Sequence, residues 1–374
     1  MPSRKIKVIS VFGTRPEATK MVPLVLALRD EPGIDSYVCV TAQHRELLDQ
    51  MLTPFGIKPD YDLNIMTEGQ SLTYVTNRVL TGLAPILAEI KPDLLLVHGD
   101  TITTVAASMA AFFAKIAIGH IEAGLRTYDK YRPYPEEVNR KMVTAIADLF
   151  FAPTQQSREN LLKENVLGSA IHVTGNTAVD FLKYVVSDNY RYQCEPLNHL
   201  DTSKRIILMT SHRSENYGKP LENICRAVRK VVDDFPDTLL VWPVHPSKPV
   251  TETANRLLSG HDRILLTPAV GPFDMINMMK RSYLLLTDSG GLQEEAPAFD
   301  LPVLVLREVT ERPEGLTAGT LALAGVNEAS IYSHAAKLLT DEALYQKMAK
   351  APNPFGDGHA CGRIIKAIKE QIPC

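Results

Sequence analysis

The residues best suited to chemistry are carboxylates placed just past short apolar runs, with glycines beside them. Leu94 to His98 leads into Gly99, Asp100 and Thr101, and Ala117 to Ile121 leads into Glu122, Ala123 and Gly124. If each run is a strand of an open parallel sheet, both acids stand at strand ends, where such sheets bind ligands. Two acids on one sheet edge can take and give protons. Asp100 ahead of Thr101 reads equally as a helix cap, whereas Glu122 does not. A third acidic stretch, Tyr134-Pro135-Glu136-Glu137, follows a Pro-rich loop and opens a helix, where acids favour the positive dipole end in any case. Farther along, a run ending at Ser211 delivers His212 and Arg213, an imidazole able to carry a proton near neutral pH or to bind phosphate. The strongest single segment is Leu286-Thr287-Asp288-Ser289-Gly290-Gly291-Leu292-Gln293-Glu294-Glu295. A buried strand, a Ser-Gly-Gly turn and a short acidic helix have the form of a phosphate cradle. Glu295 is placed to accept from both ribose hydroxyls of a nucleoside diphosphate, and Arg312 on the next loop to hold phosphate bidentately.

Positioning these groups requires alternating strands and helices. Apolar, β-branched runs at Lys5 to Phe12, Ser36 to Thr41, Leu94 to His98, Ala117 to Glu122, Leu149 to Pro153 and Ala170 to Thr174 are each followed by a helix-length amphipathic stretch. A second series, after a polar segment around Ser187 to Lys204, has runs at Arg205 to Ser211, Leu239 to Pro243, Arg263 to Thr267, Tyr283 to Asp288 and Val303 to Arg307. Continuous runs such as Leu94-Leu95-Leu96-Val97 suit parallel sheets buried on both faces. The expectation is an α/β protein of two Rossmann-like, doubly wound domains facing across a cleft: residues 1–185, residues 200–355, and a C-terminal helix within 356–374 packing back across the boundary. Ile364, Ile368 and Ile372 give that helix its apolar stripe. The first run ends in Gly13-Thr14-Arg15-Pro16-Glu17, where Thr14 and Glu17 have capping-box spacing. An anion site carried by Arg15 and Lys20 and a plain capped helix with two solvated cations explain that segment equally well.

Length and composition exclude several classes. A chain of 374 residues, 45% hydrophobic and 22% charged, is too long for one small module and too apolar for wholesale disorder. Lys plus Arg number 40 against 43 Asp plus Glu, with no long block of like charge, which argues against nucleic acid as a partner. The longest mostly apolar stretch, Val105 to Ile118, is broken by Lys115 and falls short of a membrane span, and the N-terminal apolar run is too short for a signal peptide, so a cytoplasmic location is expected. Cys39, Cys194, Cys225, Cys361 and Cys374 lack any metal-site or disulfide spacing and read as reduced structural residues. Neither GxGxxG nor the P-loop pattern is present.

Taken in order, FGTRPE, TAQHRE, HGDT, HIEAGLRT, PYPEEVNR, TGN, DSGGLQEEAP and ERPEGLTAGT closely resemble the non-hydrolysing UDP-N-acetylglucosamine 2-epimerases over essentially the whole chain. The resemblance implies a fold like that of GT-B glycosyltransferases. It also implies interconversion of UDP-GlcNAc and UDP-ManNAc with no cofactor and no metal, through anti elimination of UDP to 2-acetamidoglucal and its re-addition. The product would supply ManNAc-type precursors for cell-surface polysaccharides. Residue by residue, Asp100, Glu122 and Glu136 match the family's catalytic carboxylates. Arg15, His212, Ser289, Gly290, Gly291 and Arg312 match its UDP cradle, His212 counting with the catalytic set as well. Glu295 matches the ribose ligand, Lys20 a supporting cation, and Phe273 and Met275 the uracil segment, which diverges around residues 270–275. Gln43 and His44 match a region where bacterial members hold a second UDP-GlcNAc, although Glu46 and Gly69 stand where some of them have Gln and Arg. Arg132 and Ile102 are further departures near the catalytic groups. A homodimer is implied too, with no membrane or nucleic-acid partner. The rival activities are epimerisation of another UDP-sugar, hydrolysis to ManNAc and UDP, glycosyl transfer on the same fold, and non-catalytic nucleotide-sugar sensing.

Overall fold

The computed structural model describes residues 4–43 and 45–372. Its chain forms two compact units, one running to Phe181 and resuming at Gly356, the other comprising Leu182–Phe355. The division falls inside the helix Thr177–Val185.

In the first unit the strands are β1 (Ile6–Phe12), β2 (Ile34–Val40), β3 (Tyr61–Asp62), β4 (Leu94–His98), β5 (Ala117–Ile121), β6 (Leu149–Ala152) and β7 (Ile171–Val173). They form one parallel sheet in the order β3-β2-β1-β4-β5-β6-β7. The strand order reverses between β1 and β4, the point at which an open α/β sheet leaves a crevice beyond its strand ends. Ile9, Val11, Leu95 and Val97 pack with Val79, Leu83 and Ala107 of the flanking helices into the main core. Such two-sided burial explains runs without polar alternation. The C-terminal helix Ala360–Gln371 belongs to this unit. Asp180 accepts from the Ala360 and Cys361 N–H groups and so caps it, while Ile364 and Ile368 are fully buried.

The second unit holds β8 (Arg205–Thr210), β9 (Thr238–Val244), β10 (Ile264–Pro268), β11 (Leu284–Thr287), β12 (Val303–Val305) and β13 (Leu321–Leu323). Their order, again all parallel, is β10-β9-β8-β11-β12-β13. Here the reversal lies between β8 and β11, in register Thr210↔Thr287. Trp242 is fully buried in this core beside Met209, Leu286 and Val228. The edge strands β3 and β13 are the two that apolar runs do not announce. At two and three residues they are too short for a periodicity, and pairing with a neighbour defines them.

Among the described residues no helix is long and apolar enough to cross a membrane. The described cysteines are free, and burial pushes the Cys39 and Cys225 thiols up to about 12, which makes them inert. Cys374 lies outside the described residues.

Candidate functional site

Gly13 closes β1 where a Cβ would lie 1.8 Å from Thr41 Oγ1, so only glycine lets these loops meet. Thr14 then caps the helix Arg15–Arg29 in a complete capping box with Glu17. Glu17 does more than cap. Its Oε2 accepts from the Gly13 and Thr14 N–H groups at 3.0 and 2.8 Å, and its Oε1 accepts from Thr101 Oγ1 at 2.8 Å. It thereby ties the loop after β1 to the loop after β4. Burial raises its pKa, and the hydrogen bonds from Thr101 and Thr14 oppose that shift. The helix entrance therefore already carries an acidic side chain. Arg15 is exposed with no ion pair among the described residues. Lys20, one turn further on, reaches Glu122, so the two cations do not form a simple phosphate pair.

Glu122 follows β5 with φ 63, in the left-handed region that costs a residue with a side chain about 1 to 2 kcal/mol. Its Oε2 meets Lys20 Nζ and accepts from Asn176 Nδ2 at 2.9 Å. His98 Nε2 stands 3.9 Å from the same oxygen. Burial, further aided by Lys20, lowers the His98 pKa to about 3, and the ring stays neutral. His120 behaves alike: burial takes it to about 4, with its Nε2 on the Gly99 carbonyl at 2.7 Å. Strained backbone and a largely buried ion pair single Glu122 out as a candidate functional group.

Asp100 is not the cap of the next helix. Thr101 takes that place by accepting from Thr104 N–H, which frees the Asp100 carboxylate to meet Arg140 Nη2 at 2.6 Å. Arg140 belongs to the helix Glu136–Thr144, whose Asn139 also donates to the Asp100 carbonyl at 2.7 Å. Glu136 is the first residue of that helix, with its Oε2 buried and unpartnered among the described residues. Glu137 is fully buried and holds the preceding loop by accepting from the Thr127 and Tyr128 N–H groups at 2.9 and 3.0 Å. Asp100 and Glu122 thus both follow strands at the C-terminal edge of the first sheet, and Glu136 opens the helix that holds Asp100.

In the second unit, Ser211 and His212 follow β8, and Asp288 follows β11. Asp288 Oδ2 accepts from Ser211 Oγ, the His212 and Arg213 N–H groups and Asn216 Nδ2, at 2.9 to 3.0 Å. Oδ1 lies 3.0 Å from His212 Nδ1. Burial alone would raise the Asp288 pKa, but the His212 ring and the backbone N–H groups of Arg213 and His212 hold it below the usual carboxylate range. Ser289 caps the helix Gly290–Glu295 without a side-chain bond. Neither Gly290 nor Gly291 has positive φ, so the turn does not demand glycine. Gly290 instead lies under Arg312, where a Cβ would be 3.6 Å from the guanidinium Nη2. Arg312 Nε donates to the buried Glu294, and Glu295, half-buried, is the next residue.

Phe273 and Met275 both lie in the helix Pro272–Arg281 and are half-buried. Two residues apart, they point about 200° apart around the axis and do not share a face. Between them Asp274 turns inward to accept from Tyr190 Oη and the Gln193 and Cys194 N–H groups. Gln43 accepts from Gln70 Nε2 through its carbonyl at 3.0 Å, while His44 lies outside the described residues. Sequence reasoning passed over Glu17, Arg140, Asn176 and Asp288 as functional residues. Each is a polar residue inside a motif already singled out, which is the one signal that could have found them. No His, Cys, Asp and Glu cluster suited to a metal occurs among the described residues.

A family model described as UDP-N-acetylglucosamine 2-epimerase matches residues 26–369. The UDP-N-acetylglucosamine 2-epimerase of Bacillus subtilis strain 168 is 53% identical over 98% of this chain and 95% of its own. That of Escherichia coli strain K12 is 50% identical over 97% and 98%. Among solved structures, UDP-GlcNAc 2-epimerase from Neisseria meningitidis bound to UDP-GlcNAc superposes with a TM-score of 0.86, at 42% identity over 98% of this chain and 100% of that one.

Proposed function

Because the chain belongs to the UDP-N-acetylglucosamine 2-epimerase family and is an enzyme acting on that nucleotide sugar, we propose that it inverts C2 by eliminating UDP and adding it back, without hydrolysis. The observation that supports this reading is Asp100 and Glu122 at neighbouring strand ends, with Glu136 on the helix that holds Asp100. C2 carries no adjacent ketone, so its proton is hard to remove until departure of UDP builds positive charge at C1. Inversion then needs one group to take a proton from one face and another to deliver one to the opposite face. Glu122, kept in place by Lys20 and Asn176, and Asp100, kept in place by Arg140, are separately held acids of that kind. Glu136 adds a buried carboxylate oxygen with no described protein partner.

The second unit supplies the complementary part. His212, Ser289, Gly290, Gly291 and Arg312 hold the diphosphate and Glu295 accepts from the ribose; Arg15 is proposed separately as a phosphate-binding cation. Preorganised donors at a departing diphosphate act where charge develops and so lower the barrier itself. No cofactor enters these steps. A homodimer is part of the same proposal, and the UDP-ManNAc formed would feed cell-surface polysaccharide synthesis. The test is to incubate the pure protein with UDP-GlcNAc in D2O and follow products by NMR. The expected outcome is a mixture containing UDP-ManNAc with deuterium at C2, unchanged after stripping with EDTA and charcoal. Release of free ManNAc, or complete retention of the C2 proton, overturns the mechanism.

A further inference from the structure

Resting on the reading of His212 as a group of the UDP site, we infer that Asp288 is its positioning residue: it dictates which ring nitrogen bears the proton and aims the other one outward. The side chain of Asp288 is fully buried. Ser211 Oγ, His212 N–H, Arg213 N–H and Asn216 Nδ2 all donate to Oδ2. An oxygen surrounded by donors has no room for a proton of its own, so the group is a carboxylate and only accepts. His212 Nδ1 lies 3.0 Å from Oδ1, a buried acceptor with no hydrogen-bond partner among the described residues, and an Nδ1–H is the donor within reach that would satisfy it. Nε2 makes no hydrogen bond among the described residues, and the side chain is 40% exposed. When neutral, the ring presents an Nε2 lone pair. When protonated, it presents a second N–H.

The same Asp288 carboxylate holds the backbone of His212 and Arg213 through Oδ2 and sets Oδ1 3.0 Å from the His212 ring, so one residue addresses both the root and the ring of the side chain. Placement comes from the sheet. β8 and β11 are neighbours, and Thr210↔Thr287 are in register, which sets Ser211, His212 and Asp288 side by side. The His245 ring flanks His212 at 6.0 Å between centroids.

Asp288→Asn tests the assignment with little loss of structure. The Asn carbonyl oxygen can replace Oδ2 for the loop donors, while its NH2 group turns a donor toward Nδ1 and drives the ring proton to Nε2. The tautomer is read by long-range proton–nitrogen NMR on histidine-labelled full-length protein, with His212→Asn used to assign the signal. The expected result is Nδ1–H in the unaltered protein and Nε2–H in Asp288→Asn, with UDP affinity lowered about tenfold and turnover by about 10² or more, the direction known for an acid that orients a catalytic histidine. An Nε2–H tautomer in the unaltered protein overturns the inference without any variant, so a poorly folding Asp288→Asn leaves it testable. A folded Asp288→Asn with the tautomer unchanged overturns it as well. Neither spectrum depends on turnover, so a protein that proves to make a different product would refute the proposed mechanism and leave this assignment standing.

Discussion

The two units use their strand-end acids in opposite ways. In the first, each acid meets a cation from a distant element, Lys20 on Glu122 and Arg140 on Asp100, and Glu122 sits on strained backbone. In the second, four donors converge on Asp288 Oδ2, and the group beside its other oxygen is the partly exposed His212 imidazole. An acid held by a cation stays within reach of a proton donor or acceptor. An acid ringed by N–H and O–H donors is a fixed charge that orients its neighbours. The difference fits the proposed division, with proton transfer in the first unit and diphosphate binding in the second.

Breaking that division is most direct at the carboxylates. Glu122→Gln and Asp100→Asn keep shape while removing basicity, so each lowers turnover by about 10² to 10⁴ while UDP affinity by calorimetry stays near normal. Glu136→Gln behaves similarly where that acid transfers a proton. Near-normal turnover in the first two variants breaks the comparison.

The next effect is on binding. Arg312→Ala and Arg15→Ala each remove a charge-assisted contact worth about 1.5 to 3 kcal/mol, so UDP affinity falls at least several-fold. Only Arg312→Ala also lowers Tm, because it takes the guanidinium off Glu294, whose side chain is 4% exposed. Equal melting temperatures with unchanged UDP binding would remove Arg312 from the site.

Acid sensitivity should trace to the first unit. His98 and His120 titrate at about 3 and about 4 in the folded chain against 6.5 ordinarily, so below pH 6.5 the unfolded state binds more protons. Stability is therefore intact above that pH and declines on acidification, by about 2 kcal/mol per ring at pH 5. Thermal melts from pH 7.5 to 5 check this, with a shallower slope expected for His120→Asn. The smallest effect is Gly290→Ala. Its Cβ meets only ordinary contact, at 3.6 Å from Arg312, so folding holds or improves by about 0.5 to 1 kcal/mol, yet UDP affinity drops. Unchanged affinity shows that phosphate does not approach that turn.

Much of this was legible in the chain alone. Apolar runs punctuated by helices announced two parallel sheets, since strands buried on both faces must be apolar throughout. Thr14 and Glu17 are three residues apart, and a capping box is a local structure that spacing can specify. The strand-end rule then selected Asp100 and Glu122. Tertiary structure alone decided what those groups do. Lys20 reaches Glu122 across 102 residues, Arg140 reaches Asp100 across 40, and Ser211 reaches Asp288 across 77. Hydrogen bonds and ion pairs act over about 3 Å with strict direction, and only the strand order brings such partners within that distance. For that reason the sequence located the acids, whereas folding determined which of them meet a cation and which hold a histidine.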